Sequence, residues 1–121
     1  MPTLDDLLRD SAWARGVSPA QLERVRAETA ERSVPAGGYA CRKGEPVAHW
    51  IGVVDGLLKL GIVSPEGKAA TLTGVPSGGW FGEGSLLKSE PRRYDAIALR
   101  DTRVALMPRA TFVRDTGATV N

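Results

Sequence analysis

The chain of 121 residues has one cysteine, Cys41, and one histidine, His49. A single cysteine excludes an internal disulfide and the cysteine clusters that hold zinc or iron–sulfur centres. Metal sites need several ligands, so we interpret His49 as a surface or edge residue and not as a metal or haem ligand. With neither a cysteine cluster nor a set of histidine ligands, the sequence predicts a protein that requires no cofactor.

The sequence also lacks an apolar run of transmembrane length and a strong charge of either sign. Its formal net charge is +2, and its basic residues are scattered among acidic ones. The composition therefore does not indicate nucleic-acid binding. The N-terminus has early acidic residues and no basic segment before an apolar core, which a signal peptide would have. We therefore expect a cytoplasmic protein with no membrane partner.

The N-terminal part of the chain carries two helix-start patterns. Thr3 precedes a short amphipathic segment with acidic residues in its first turn, which predicts a capped helix. Ser18, Pro19 and Gln21 form a capping box with proline at the first helical position, and we expect that second helix to run to about Arg32. Residues 1–33 are therefore predicted to be a helical segment that packs on the rest.

From residue 34 onward, short apolar runs alternate with glycine-rich turns, a pattern typical of an all-β barrel or sandwich. The Asp55-Gly56 pair between two apolar runs predicts a hairpin. Ser64-Pro65-Glu66-Gly67 fits a type I turn. The predicted strands are residues 39–42, 49–54, 57–63, 69–75, 94–99 and 102–107. A chain of this length can bury a single core, so we expect mainly β structure with short flanking helices.

β-Barrels can also be enzymes, and cupins are the type to consider. Cupins normally need clustered histidines with a carboxylate, which one histidine cannot supply. The sequence also offers no serine or cysteine nucleophile with a base that can be named. We therefore expect a binding protein and not an enzyme.

Residues 78–99 combine glycines, one carboxylate and two adjacent arginines, a set that suits an anion carrying hydroxyl groups. Gly82 and Gly84 allow backbone N–H groups to come close to a ligand. Arg92 and Arg93 can each grip a phosphate, and Glu83 can accept hydrogen bonds from sugar hydroxyls. The stretch therefore predicts a sugar-phosphate ligand.

The order of several motifs adds a resemblance to a known family. The motifs are Pro35-Ala36-Gly37-Gly38-Tyr39, Arg42-Lys43-Gly44-Glu45-Pro46, Asp55-Gly56, Glu66-Gly67 and Gly78-Gly79-Trp80-Phe81-Gly82-Glu83. Over roughly residues 34–112 they resemble the cyclic-nucleotide-binding β-roll, a double-stranded β-helix jelly roll, of Crp/Fnr-type bacterial transcription regulators. The resemblance implies a roll over residues 34–114. It also implies that residues 115–121 begin a connection to a C-terminal helix and helix-turn-helix domain, which this chain lacks.

The resemblance also implies the function of the site. Glu83 would accept the ribose 2′-hydroxyl, Arg92 would bind the cyclic phosphate, and the backbone N–H groups of Gly84 and Ser85 would help to hold the ligand. The implied effector is cAMP or cGMP. DNA would be bound only through the absent C-terminal part, and the full-length protein could form a homodimer.

Two departures from the family pattern leave alternatives open. This chain has Arg93-Tyr94 where cyclic-nucleotide binders commonly have a small hydroxyl residue and an alanine, and Gly84 replaces an aliphatic residue. Arg93 could contact the phosphate, pair with Glu90 or Asp95, or fill the nucleotide pocket. If the pocket is closed, the alternative function is a protein-interaction or dimerisation module that binds no nucleotide.

Overall fold

Two antiparallel sheets of four strands face each other across the core. The structure is a computed structural model that describes residues 1–117. The strands are β1 Ala30–Val34, β2 Tyr39–Cys41, β3 His49–Asp55, β4 Leu57–Val63, β5 Ala69–Pro76, β6 Trp80–Phe81, β7 Asp95–Ala98 and β8 Thr102–Pro108. The first sheet has the order β1-β8-β3-β6 and the second has the order β2-β7-β4-β5. This arrangement agrees with the predicted mainly β fold.

Short helices cover the outer face of the first sheet. They are α1 Leu4–Asp10, a 3-10 helix Ala12–Gly16, α2 Pro19–Glu28, α3 Glu83–Lys88 and α4 Arg109–Asp115. The α-helices contact β3 or β8 of this sheet. The capping boxes predicted at Thr3 and at Ser18 are both formed, so the two N-terminal helices begin as the sequence indicates.

The predicted extension of the second helix to Arg32 is wrong. Helix α2 ends at Glu28, and Ala30–Val34 form β1, which pairs with β8 along its whole length. Thr29 has an extended backbone, and its hydroxyl donates to the carbonyl of Val25 at 2.7 Å, which closes the helix. Sheet pairing therefore outweighs the helix propensity of the sequence here. Strand β1 also crosses the predicted boundary at residue 33, and the division into segments stays a prediction.

The predicted hairpin at Asp55-Gly56 is also wrong. β3 belongs to the first sheet and β4 to the second, so Gly56 is a corner at which the chain changes sheets. The φ of Gly56 is +136°, a backbone conformation that residues with a side chain rarely adopt. A Cβ at this position would also overlap Thr102. The type I turn predicted at Ser64 does join a true hairpin, because β4 and β5 are paired. The amide N–H of Gly67 donates to the carbonyl of Ser64 at 2.8 Å.

The core has two layers. Between the sheets lie small and branched side chains, among them Val34, Ile51, Val53, Leu58, Leu60, Ala96, Ala98 and Val104. Between the first sheet and the helices lies a second cluster with Leu8, Val25, Leu86, Met107 and Phe112, on which Trp13, Trp50 and Trp80 pack. The second layer joins the N-terminal helices to α3 and α4.

Ion pairs join α2 to α4. Arg24 donates to the buried carboxylate of Asp115 at 2.8 Å, and Arg114 pairs with both Glu28 and Asp115. Asp115 also falls in the predicted connection of residues 115–121, most of which lies outside the described residues. Helix α2 is therefore held to the last helix of the described residues.

The two core layers make a clear prediction for Leu58. This side chain on β4 is fully buried between the sheets, whereas Leu72 on the neighbouring β5 is 53% exposed. We expect Leu58→Ala to lower the free energy of unfolding by about 2–5 kcal/mol. Leu72→Ala should change it by less than about 0.5 kcal/mol. Urea unfolding monitored by tryptophan fluorescence measures both, and equal losses would contradict the described core.

A second prediction concerns the effect of acid. Burial alone would raise the pKa of Asp115, but hydrogen bonds from Arg114 and Arg24 outweigh it and the pKa lies below its usual value. Such a group stabilises the fold above its unfolded pKa of about 4, and this stabilisation is lost as the pH falls through the lower folded value. The gap in melting temperature between wild type and Asp115→Asn should therefore be large near neutral pH and shrink in acid.

The control for this acid effect is Glu23→Gln, a change at an exposed carboxylate on α2. Its melting temperature should follow that of the wild type at every pH. A gap for Asp115→Asn that stayed constant down to acidic pH would show that the ionised carboxylate is not what stabilises the contact between α2 and α4.

Candidate functional site

The predicted site begins where β6 ends and α3 starts. Gly82 is the N-cap of α3 and has a left-handed backbone with a φ of +91°. Strand β6 pairs with β3, which buries Phe81 and fixes the point from which α3 departs. The left-handed turn at Gly82 therefore brings the chain directly from β6 into α3, whose first two residues are exposed.

Five of the six predicted ligand residues line one open groove of about 250 Å³. They are Gly82, Glu83, Gly84, Ser85 and Arg93, and the groove is completed by Lys88, Glu90 and Tyr94. The charged groups of the wall include both signs. Their role in binding stays a prediction, but the structure brings them to one place.

Arg92 does not line this groove. Its side chain is buried, with 5% of the residue exposed, and it lies behind Gly82, where a Cβ would overlap Nη1. Nη2 donates to the carbonyl of His49 at 2.9 Å, whereas Nη1 is buried without a hydrogen-bond partner. The Tyr94 hydroxyl lies 3.7 Å from the same Cβ position. The guanidinium is therefore separated from the groove by the backbone of Gly82.

Arg92 instead lines a second cavity of about 330 Å³, whose wall also includes Cys41, Glu45 and His49. Burial raises the pKa of the Cys41 thiol, although the nearby Arg92 opposes this shift. Burial lowers the pKa of His49, and the charge of Arg92 lowers it further. Both shifts favour neutral side chains next to the guanidinium. Cys41 is buried as a small hydrophobic residue would be.

Arg93 takes one of the three alternatives that the sequence leaves open. Its guanidinium pairs with Glu90 at 2.8 Å at the rim of the groove, and its side chain is 68% exposed. Exposed pairs of this kind contribute little to stability. Arg93 therefore lies at the rim of the groove and does not fill it.

Tyr94 forms part of the groove wall. The residue is half-buried, with its ring 6.1 Å from that of Phe81 between centroids. Burial raises the pKa of its hydroxyl. The aromatic ring therefore packs towards the core while the hydroxyl faces the Gly82 backbone, which narrows the groove without closing it.

Glu83 has a partner that sequence reasoning missed. One of its carboxylate oxygens, Oε2, accepts a hydrogen bond from the indole N–H of Trp50 at 3.3 Å. The only signal in the sequence is the tryptophan itself, because the N–H of a tryptophan that becomes half-buried usually finds an acceptor. Because the two residues are 33 positions apart, the sequence could not identify which acceptor it uses.

Neither a metal centre nor a membrane span is found among residues 1–117. No three side chains of His, Cys, Asp or Glu within this part lie close enough to hold a metal ion. None of its helices combines the length and apolarity needed to cross a bilayer.

Comparison with known proteins gives a consistent result. Residues 31–114 match the family model of the cyclic nucleotide-binding domain. The chain is 26% identical over 106 residues to a CRP-like cAMP-activated global transcriptional regulator of Mycobacterium tuberculosis, which covers 88% of this chain and 47% of the relative. The chain thus spans about half the length of that relative.

Solved structures show the same fold. The catabolite activator protein of Thermus thermophilus superimposes with a TM-score of 0.75 at 25% identity, over 85% of this chain and 48% of that one. The regulatory domain of Toxoplasma gondii PKA, crystallised with cAMP, superimposes with a TM-score of 0.83 at 24% identity, over 93% and 44%. The predicted jelly-roll fold and the family resemblance are confirmed.

The close packing at Gly82 predicts a large effect of a single methyl group. Gly82→Ala would place a side chain at a positive φ and against the Arg92 guanidinium, so we expect a loss of about 1–3 kcal/mol in unfolding free energy. Gly84→Ala is the matched control, because a Cβ there meets no atom within 4 Å and lies inside a helix. The control should be neutral or stabilised by up to about 1 kcal/mol. Thermal unfolding measures both, and equal effects would contradict the described turn.

Proposed function

Because the chain belongs to the cyclic nucleotide-binding domain family, we propose that it is the effector-sensing module of a Crp/Fnr-type transcription regulator and that its effector is a cyclic nucleotide, cAMP or cGMP. The family and its relation to CRP-like regulators rest on the matched domain and relatives. The identity of the effector and its binding groove are the proposal. Its action is binding without chemical turnover.

One observation carries the proposal: the buried guanidinium of Arg92. It has no ion pair among the residues that the structure describes, and its Nη1 has no hydrogen-bond partner. A buried cation without an ion pair is costly unless other groups replace the hydration that it has lost. An anion that reached Nη1 would remove this deficit. A cyclic phosphate is such an anion.

The geometry supports an approach of the anion to Arg92 from the side of the groove. Nη1 lies directly against Gly82, which lines the groove and has no side chain to obstruct contact. We propose that Arg92 turns towards the groove when a phosphate enters and exchanges the carbonyl of His49 for phosphate oxygens. A guanidinium can then make two parallel hydrogen bonds to the anion.

The other groove residues have complementary roles in the proposal. Glu83 is exposed and accepts the ribose 2′-hydroxyl, while the N–H groups of Gly84 and Ser85 donate to the phosphate. Arg93 would contribute after release from Glu90. Because the groove wall contains both cations and carboxylates, it suits a ligand with an anionic part and a neutral hydroxyl part.

Several wider statements belong to the same proposal. DNA binding would reside in a C-terminal part outside this chain, as would the helix through which a full-length protein could form a homodimer. The cytoplasmic location predicted from the sequence fits a transcription regulator. Residues 1–33, 34–114 and 115–121 would correspond to the helical segment, the roll and the connection.

One observation favours the alternative, a roll that acts as an interaction module without nucleotide. Arg92 is separated from the groove, and the hydroxyl of Tyr94 lies beside the same point. If Arg92 cannot turn outwards, the groove has no buried cation to offer. Direct binding experiments distinguish the two functions.

We expect cAMP or cGMP to raise the melting temperature of the wild-type chain. A ligand at about 100 times its Kd that binds only the folded state adds about 2.7 kcal/mol of stability, which is a shift of several degrees. Arg92→Ala should abolish the shift, and Arg92→Lys should retain a small part of it because lysine keeps the charge but lacks the paired donors.

Arg93→Ala is the matched control, since it removes the adjacent, exposed arginine. It should weaken binding by less than about tenfold, because exposed ion pairs contribute at most about 1 kcal/mol. The absence of any wild-type shift at millimolar nucleotide would favour the interaction module. An unchanged shift in Arg92→Ala would show that the phosphate contact is assigned to the wrong residue.

A further inference from the structure

Two consecutive residues at the start of β3 hold the two charged groups of the proposed site. The carbonyl of His49 accepts a hydrogen bond from Arg92 Nη2 at 2.9 Å. The indole of Trp50 donates one to Glu83 Oε2 at 3.3 Å. Both residues are paired with β8, so their backbone positions are fixed by the first sheet. One strand end therefore sets where the cation and the carboxylate lie relative to each other.

Trp50 is itself held by other aromatic rings. Its ring stacks on Trp80 with 4.3 Å between centroids and an interplanar angle of 24°. Phe112 of α4 lies at 4.8 Å and Trp13 of the 3-10 helix at 6.4 Å. Such contacts restrict the rotation of the indole, so its N–H points in one direction.

Glu83 has little else to fix its side chain. It is exposed and occupies the first position of α3, directly after the left-handed Gly82. A glutamate side chain in this position would populate several rotamers, and ordering such a side chain on binding reduces affinity. The hydrogen bond from Trp50 selects one rotamer in advance and leaves the second carboxylate oxygen without an indole contact.

We propose that Trp50 is a positioning residue for Glu83. Its indole N–H holds Oε2, so that Oε1 is presented to the ribose 2′-hydroxyl, and it thereby increases the preference for a ribonucleotide over its 2′-deoxy analogue. This inference rests on the proposed function, because it assigns the hydroxyl that Glu83 accepts. The contact between Trp50 and Glu83 can be tested without any ligand.

The ligand-free test uses the indole N–H resonances of the 15N-labelled protein. The chain has three tryptophans, and the Trp50 resonance is assigned as the one missing from Trp50→Phe. Glu83→Ala removes the acceptor at an exposed helical position that alanine fits well. We expect the Trp50 proton resonance to move upfield while that of Trp80, which donates to Ser11 at 2.8 Å, stays in place.

The ligand test compares cAMP with 2′-deoxy-cAMP by titration calorimetry. Trp50→Phe retains an aromatic ring but loses the N–H, and it should bind cAMP about three- to tenfold more weakly with little change for the deoxy analogue. Trp80→Phe is the matched control, because phenylalanine keeps an aromatic ring to stack on Trp50 while the indole N–H that is lost donates to Ser11 and not to Glu83. The control should keep the wild-type ratio of the two affinities.

The two experiments test the positioning role of Trp50 and the proposed function separately. An unmoved Trp50 resonance in Glu83→Ala overturns the positioning role whatever the ligand result. Equal weakening of both nucleotides in Trp50→Phe, or the same selective loss in Trp80→Phe, shows an effect of packing and also overturns it. If the wild-type chain binds neither nucleotide, the proposed function fails and the ribose preference fails with it, even when the spectrum shows the contact.

Discussion

The site depends on the missing side chain of Gly82. Its backbone is packed against the guanidinium of Arg92, so closely that a single Cβ would overlap Nη1. Its positive φ also lets the chain leave β6 and enter α3 within one residue. A larger residue would have to displace either the arginine or the helix. Both the buried cation and the groove residues that follow Gly82 thus depend on one backbone conformation that only glycine adopts without strain.

The jelly roll provides the rigidity that a buried, unpaired cation requires. Arg92 is held by the carbonyl of His49, and His49 belongs to a strand that is paired with β8. The two core layers pack on either side of the first sheet, which fixes the strand that carries this carbonyl. The fold therefore retains a charge whose burial is unfavourable, and in the proposed function an anion would be its partner.

Local features of the fold and site were predictable from the sequence, whereas long-range pairings were not. The capping box at Ser18 and the turn at Ser64 depend on neighbouring residues, and the groove residues from Gly82 to Ser85 are adjacent in the chain. Asp55-Gly56 looks the same whether it closes a hairpin or turns a corner between sheets, because only the partner strands differ. Arg92 and Arg93 are neighbours that precede β7, and nothing in their order indicates which one is buried.

The two arginines illustrate why position matters more than charge number. Arg93 lies at the rim, is paired with Glu90 and is mostly exposed, so water and salt weaken its attraction for any ligand. Arg92 lies in a region of low effective dielectric, where the same charge interacts more strongly. Since the groove wall itself carries charges of both signs, its surface offers little net attraction for an anion. In the proposed function, the strongest contact with a phosphate would therefore come from Arg92, and movement of Arg92 past Gly82 is the step on which nucleotide sensing would depend.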